Sequence, residues 1–586
     1  MVETVDLVVI GAGWFGLGAA KTYLQVHPDA NLVVLEAESS VGGVWSSKRL
    51  YPGLRSNNLV GTYEYSDFPM DEATWGVKPG QHIPGQVVHK YLTAYAEKFG
   101  VLRRIRFNYK VKSVEKNERG GWLLSPEGDS STSIYAKKLI VATGVTSQAF
   151  LPTFEGQNSF GVPLFHSKDF LKHADTIKNS KRVTVLGGTK SAWDAVYAYG
   201  TDGVEVDWVI RESGHGPCWM APPYVTPLKK WLEKLVHTRF LTWLSPCVWG
   251  DADGYGGIRS WLHGTSIGRF LVDKFWGVLG GDVITLNKYD SHPKTAKLKP
   301  WHDAFWTASG LSILNYETDF FELVKSDKIR IHIADITELS PGKVHLSDGN
   351  SFETDALLCS TGWKHTAPMK FSPPGLEAEL GLMSQRSSSE EEALIARADA
   401  EILEKYPRLA NRPPKNKKFE ALTDTNARIQ NEENLSSMGL YRFMVPPEPR
   451  MLATHDIAFS GYVMTISTSI LAQVQALWIT AYFDGNVLPF DTTISSSAEL
   501  EKEIAAIKYS ATLHNRFGKW RYPGGKEGKI PDFVFDAVPY VDMLLKDLGV
   551  NSRRKGSFLK EISEPYGAED YKDVVQEWMA KGKKDL

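Results

Sequence analysis

Val5-Asp-Leu-Val-Val-Ile-Gly-Ala-Gly-Trp-Phe-Gly16, followed by Asn31-Leu-Val-Val-Leu-Glu36, decides how this chain folds. The apolar run Val5 to Ile10 reads as a buried strand that ends at Gly11, Gly13 and Gly16. A helix is expected from about Leu17 to Val26, and the second apolar run reads as a strand stopped by Glu36. A strand, a Gly-x-Gly-x-x-Gly turn, a helix and a second strand closed by an acid form a dinucleotide-binding βαβ unit. The first glycine permits the tight turn, the second lets a pyrophosphate reach the backbone and the positive helix end, and the third lets helix and strand pack closely. Glu36 is placed to accept hydrogen bonds from a ribose.

The chain repeats this unit. Arg182 to Leu186 is a second strand, Gly187-Gly-Thr-Lys-Ser-Ala192 opens a helix, and Glu205 to Ile210 is the next strand. Gly11 to Glu36 spans 25 positions and Gly187 to Arg211 spans 24, so the second copy ends in an arginine where the first ends in an acid. A carboxylate suits a free ribose hydroxyl, whereas the planar donor fork of arginine suits a 2′-phosphate. Lys190 is either a phosphate partner or a solvated lysine at a helix start. Each unit also has a closing strand. Lys138-Leu-Ile-Val-Ala-Thr-Gly144 closes the first, and Ser351 to Gly362, ending Ser-Thr-Gly, closes the second.

Composition bounds the rest. A chain of 586 residues is too long for one core, so two or three domains are expected. A net charge of −2 points away from nucleic acid, and 42% hydrophobic residues fit a globular protein. Cys218, Cys247 and Cys359 are too few and too scattered for a disulfide framework or a Cys-x-x-Cys redox pair. No apolar run is long enough to span a bilayer, and the first strand leaves no room for a cleavable signal peptide. The expectation is a soluble, cytoplasmic protein.

Between the two units, Gly42-Gly-Val-Trp45 follows the acid directly, and Tyr51-Pro-Gly-Leu-Arg-Ser-Asn-Asn-Leu59 leads on to Ser66-Asp-Phe-Pro69. This polar, aromatic, turn-rich stretch has the make-up of a site loop. A strand is expected near Phe107 to Val114, with a hairpin partner at Trp122 to Ser125. The glycine turn with Glu36, Gly42-Gly43-x-Trp45, Ser56-Asn57 and Ala142-Thr-Gly144 together resemble a flavin-containing monooxygenase of class B, closest to the fungal biosynthetic members, over most of the chain. The resemblance implies two Rossmann-like α/β domains, the first holding FAD and the second NADPH, with a helical insertion. It implies that the asparagine at Asn57 sits beside the isoalloxazine and helps hold an oxygenated C4a-hydroperoxyflavin. Baeyer–Villiger relatives tend to carry an aspartate there.

Carried onto this sequence, the resemblance gives Gly11, Gly13, Trp14, Phe15, Gly16, Glu36 and Ala37 as FAD contacts. To these it adds Gly43, Val44, Trp45, Ser56, Asn58, Val111, Ala142, Thr143 and Gly144. For NADPH it gives Gly187, Gly188, Thr189, Lys190, Ser191, Arg211, Thr361 and Gly362, with Asn57 as the catalytic group. There are two departures. Thr189 stands where the middle glycine of the second turn would be. The linker signature around Phe154, Gly156, His166 and Phe170 is stretched, and His166 reads as a structural linker residue.

The expected division is an FAD domain over 1–175, an NADPH domain over 176–365, and 366–586 returning to the FAD domain with a helical cover. Between about 214 and 306 a helical insertion interrupts the second domain and carries eight of the 18 tryptophans, Trp219 to Trp306. Helices are expected over Lys229–Trp243 and Ile267–Leu279. The insertion is either a small aromatic-cored subdomain, a wall of a pocket for a bulky apolar substrate, or a patch resting on a membrane surface. Ser387 to Asn434 reads as a charged surface excursion containing an acidic helix, Glu390 to Glu404. Ile457 to Gly461 is a short strand, Thr465 to Phe483 a long helix, and the tail from Ser495 a set of outer helices.

These features point to an NADPH- and FAD-dependent monooxygenase that inserts one atom of O₂ at N, S or C of a small organic molecule, such as a secondary metabolite. No metal-ligand spacing occurs among the histidines. The alternatives are a Baeyer–Villiger monooxygenase acting on a ketone, and a redox-inactive nucleotide-binding protein. A flavin disulfide reductase lacks its cysteine pair.

Overall fold

The computed structural model describes residues 2–128, 132–225, 229–308, 310–384, 389–424, 435–488, 497–523 and 529–582. The first unit forms a parallel core of Leu32–Leu35, Glu3–Ile10 and Ile134–Val141. Ile457–Phe459 adds to the far edge of Ile134–Val141, and Lys370–Ser372 joins the same sheet through Val111–Lys116. The second half of the first strand does not alternate between buried and exposed side chains. Leu7 to Ile10 are all buried, as a strand covered on both faces requires. The expected strand at Phe107 begins only at Val111, because Asn108 takes a left-handed φ of 57° and turns the chain first.

Helix Trp14–Val26 lies against helix Thr468–Phe483, with Gly18 directly over the Ala472 carbonyl. Every residue from Ser469 to Phe483 is buried. Its uncharged sequence is therefore that of a core helix enclosed on all sides. Among the described residues, no helix is long and apolar enough to cross a membrane.

The second unit is a five-stranded parallel sheet in the order Leu164–His166, Leu357–Cys359, Arg182–Leu186, Glu205–Ile210, Ile329–Ile333. Leu164–His166 lies inside the stretch expected to belong to the first domain, so the sheet boundary falls before residue 175. Ser351–Glu353 turns aside into an antiparallel three-stranded sheet, leaving Leu357–Cys359 alone as the closing strand.

The insertion differs from expectation in detail. Lys229–Trp243 is not one helix but Leu232–Val236 and Arg239–Trp243, broken where the Thr238 hydroxyl caps the second piece. The long helix runs Ser266–Asn287. Trp219, Trp243, Trp249, Trp276 and Trp306 are buried, and they join the apolar cluster that also holds the first unit's helix and the buried Thr468–Phe483. The insertion thus keeps its ends on the second unit, where Met220, Tyr289 and Leu298 join that unit's core, while its buried tryptophans pack on the first.

The tail is a second correction. Helix Ala537–Asp547 is buried from Ala537 to Leu545 rather than covering the outside. It docks on Thr468–Phe483, where Gln475 Nε2 donates to the Tyr540 hydroxyl at 2.9 Å. A buried ion network fastens it to the insertion. Arg239 pairs with Asp542 and with Glu561, and Arg259 forks onto Asp253 at 2.7 Å. The acidic helix, found at Ser389–Lys405, buries Ala398 and Ile402 and holds Arg516 through Asp399. It is packed rather than free on the surface. The ends of the expected excursion, at 387–388 and 425–434, lie outside the described residues.

Candidate functional site

At the first turn, Gly11 has φ 106°, and a Cβ there would stand 2.5 Å from the Ala142 carbonyl oxygen. A Cβ on Gly16 would overlap the Gly11 carbonyl, so helix and strand touch through bare backbone. Gly13 and Gly43 face each other, with a Cβ on Gly43 only 3.3 Å from the Gly13 Cα. The helix that starts at Trp14 has neither a side-chain cap nor an acid in its first turn. Its unpaired N–H groups and positive end are therefore open to an anion. Glu36 accepts from the Ala12 N–H at 2.7 Å and from the Glu38 N–H at 2.9 Å. Burial raises its carboxyl pKa, and these N–H groups oppose the rise. Each oxygen keeps a lone pair for a ribose hydroxyl.

These groups open on a cavity of about 720 Å³. Of the residues expected to contact FAD, Gly11, Gly13, Trp14, Phe15, Glu36 and Ala37 line it, as do Gly43, Val44 and Val111. Ala142, Thr143 and Gly144 line it from the closing strand, and Asn57 from the site loop. Gly16, Trp45, Ser56 and Asn58 stand behind this lining. Trp45 donates through Nε1 to the Tyr63 hydroxyl at 2.9 Å, and Ser56 Oγ donates to the Asn58 carbonyl at 2.5 Å. Asn58 Nδ2 donates to the Ile466 carbonyl at 2.9 Å and to Glu233.

Several lining residues escaped the sequence reading. Arg49 and Lys168 bring two cations to the wall, each bonded to a carbonyl of the 146–147 turn. Burial pushes Arg49 down to about 10 and lowers Lys168. Arg49 follows Lys48 in a polar loop, which is a weak signal; Lys168 carried none beyond its place after His166. Tyr63, Leu311, Ile466 and Val534 complete a largely apolar stretch of wall drawn from four distant segments.

The second turn is cast in the same mould. Gly187 has φ 129°, and a Cβ there would stand 2.5 Å from the Ser360 carbonyl. The helix at Lys190 also lacks a side-chain cap and an acid in its first turn, and Thr189 at its head is exposed. The surroundings differ. A Cβ on Gly188 would lie 2.6 Å from the Gly216 carbonyl, because the chain entering the insertion passes over the turn. Lys190 turns along its own helix to Asp194 and reaches Asn315 at 2.8 Å. Arg211 is held by Asp335 at 3.2 Å, by Ser213 and by the Glu420 carbonyl. The segment around Asn416–Glu420 lies against the end of this strand. Asn416 Nδ2 donates to the Glu212 and Gly214 carbonyls at 2.7 and 2.9 Å, and Phe419 meets the His215 ring at 4.9 Å. Ser191 is half-buried, Thr361 Oγ1 donates to the Phe150 carbonyl at 2.6 Å, and Gly362 takes φ 91°. None of Gly187, Gly188, Thr189, Lys190, Ser191, Arg211, Thr361 or Gly362 lines the 720 Å³ cavity.

His166 is buried and accepts from the Lys168 N–H at 3.0 Å, capping the short helix Ser167–His173. Cys218, Cys247 and Cys359 are buried and unpaired.

A family described as pyridine nucleotide-disulphide oxidoreductase matches residues 8–240. The chain is 35% identical to the FAD-dependent monooxygenase resA of Aspergillus sclerotiorum, over 98% of each chain. It is 36% identical to an FAD-dependent monooxygenase of Pyrenophora dematioidea, over 95% of this chain and 100% of that one. Among solved structures, cyclohexanone monooxygenase from Rhodococcus sp. Phi1 bound to NADP+ superposes with a TM-score of 0.58 at 17% identity, covering 99% of this chain and 98% of its own. That likeness is one of fold.

Proposed function

The chain belongs to the FAD-dependent monooxygenase family and is a flavin-dependent enzyme, and from that premise we propose an activity. It draws electrons from NADPH and inserts one atom of O₂ at nitrogen, sulfur or carbon of a small to medium, largely apolar organic molecule. FAD, when bound and reduced, supplies the oxygen-activating chemistry. The protein supplies its placement and its dryness. The uncapped helix start at Trp14 takes the pyrophosphate, the paired backbones of Gly13 and Gly43 allow close approach, and Glu36 holds a ribose. Arg49 and Lys168 balance negative charge at the wall. Leu311, Ile466 and Val534 keep water from the reacting end. Asn57 presents an amide, a donor that orients an oxygen without titrating. A neutral amide at this place, rather than a carboxylate, favours heteroatom oxygenation over Baeyer–Villiger insertion. NADPH occupies the second turn with its 2′-phosphate on Arg211, sharing that guanidinium with Asp335.

The observation that carries this reading is that a phosphate-receiving glycine turn, a ribose acid, Asn57 and an apolar wall line one cavity of about 720 Å³, a size suited to a cofactor-scale ligand. The test is product analysis with a sulfide, an amine and a ketone, alongside peroxide measurement. Purified protein should be yellow and bleach with NADPH under argon. An ester or lactone as the main product would replace heteroatom oxygenation with the Baeyer–Villiger outcome. Colourless protein indifferent to FAD would end the proposal.

A further inference from the structure

Glu233 starts in the helical insertion and ends at the wall of the cavity. It sits in helix Leu232–Val236, yet its buried carboxyl meets the site-loop strand Arg55–Leu59. One oxygen accepts from Asn58 Nδ2, and the other accepts from the Leu59 backbone N–H at 3.2 Å. The same Asn58 amide donates to the Ile466 carbonyl at 2.9 Å, and Ile466 is itself a cavity residue. One residue on, Ser467 is bonded to His237 of the insertion. Three distant parts of the chain are thus knotted at one place: the site loop, the insertion and the segment returning to the first unit.

The geometry of a strand gives this knot a target. Successive side chains of an extended chain point to opposite sides. Asn58 points away from the cavity to Glu233, and its neighbour Asn57 lines the cavity. We propose that Glu233 is a positioning residue for Asn57: by clamping Asn58 and Leu59 it fixes the direction in which the Asn57 amide enters the cavity, and so sets how much consumed NADPH ends in oxygenated product rather than hydrogen peroxide. The proposal rests on the reading of Asn57 given above. The choice of residue type is specific. Asn58 Nδ2 and the Leu59 N–H each donate to a separate oxygen of this carboxyl, and an ionised carboxylate of this length offers two acceptor oxygens and no donor. A glutamine in its place would turn an N–H₂ toward one of those donors. Burial pushes Glu233 up to about 7, and the hydrogen bonds from Thr62, Asn58 and Leu59 oppose that rise.

The test compares Glu233→Ala, Glu233→Gln, Asn58→Ala and Asn57→Ala. Deuterium exchange of residues 55–59 in the FAD-free protein should quicken about tenfold in Glu233→Ala, the effect of losing a hydrogen bond to a charged group. In the FAD-loaded enzyme, the peroxide share should rise several-fold while the rate of flavin reduction by NADPH under argon stays at the wild-type value. Glu233→Gln, which keeps one acceptor, should fall between the two, and Asn58→Ala combined with Glu233→Ala should add nothing to either alone. If Glu233→Ala does not fold, Glu233→Gln and Asn58→Ala carry the same comparison. Wild-type coupling in the Glu233 variants, with Asn57→Ala uncoupled, overturns this proposal and leaves the Asn57 reading standing. Wild-type coupling in Asn57→Ala overturns both.

Discussion

The two glycine turns are near copies at their base and opposites at their mouths. Gly11 presses on the Ala142 carbonyl and Gly187 on the Ser360 carbonyl, each with 2.5 Å left for a Cβ that neither has. Both helices begin uncapped. The first turn opens on a wide cavity, and its acid retains free lone pairs. The second has the Gly216 backbone over Gly188, and its arginine is already in use by Asp335, Ser213 and Glu420. A glycine fingerprint therefore encodes the turn and not the vacancy in front of it. On the proposed reading, the first mouth holds a resident group. At the second, as proposed, a ligand shares its anchor with the protein and so comes and goes.

The sharpest way to break this comparison is to place a methyl at each turn. Gly11→Ala must adopt a positive φ and overlap the Ala142 carbonyl, a strain of about 1–3 kcal/mol before the clash is counted. Visible absorbance should show the purified variant nearly free of flavin. Gly187→Ala carries the same strain but should remain yellow and fail to bleach with NADPH. Equal loss of flavin in both variants would mean the turns are not separate sites. Asn57→Ala leaves the first turn intact, so flavin content should hold while product formation falls about 100-fold, the usual cost of a lost oxyanion-type donor. Arg211→Ala should raise the KM for NADPH roughly tenfold or more, the value of a hydrogen bond to charge, and leave the KM for NADH unchanged. Asn416→Ala removes two hydrogen bonds that hold the 416–420 segment on that strand end. At ~1 kcal/mol each these are worth up to about 30-fold in NADPH affinity, expected as a tighter KM. A weaker KM would make the segment part of the site instead of a competitor for it.

The smallest effect is on stability. Glu233 and Asp536, both buried, are each pushed up to about 7 by burial. A carboxyl whose folded pKa exceeds its unfolded value binds more protons when folded. Its stabilising contribution is full below the unfolded pKa, near 4, and is lost as pH rises through about 7. The melting temperature should therefore fall between pH 5 and pH 8, and Asp536→Asn should flatten that slope.

What could be read from the sequence was what a few adjacent residues determine. The glycine turns, Glu36, Arg211 and the Ser56-Asn57-Asn58 loop each announce themselves within a short window, and the strands fell where unbroken apolar runs lay. Tyr63, Leu311, Ile466 and Val534 share a wall only through folding, so none carries a local mark. Glu233 looked like one more charge on an amphipathic helix, and only its burial against Asn58 sets it apart. The break at Thr238 was hidden by helical spacing that continues across it. Ala537–Asp547 lies in a tail whose mixed, amphipathic sequence suggests an outer cover, although its own residues are those of a core.

The ion network between insertion and tail has a consequence for how the enzyme is made. Arg239 meets Asp542 across 303 positions and Glu561 across 322. At about 5–20 residues per second, a ribosome delivers those carboxylates roughly 15–60 s after the arginine has emerged. Throughout that interval Asp253, at 3.9 Å and within the insertion itself, is the carboxylate nearest in sequence to balance Arg239. A chain that stopped short of Asp542 would lack both of these distant carboxylates and leave Arg239 with Asp253 alone, so truncating the tail should unsettle the insertion although the two are far apart in sequence.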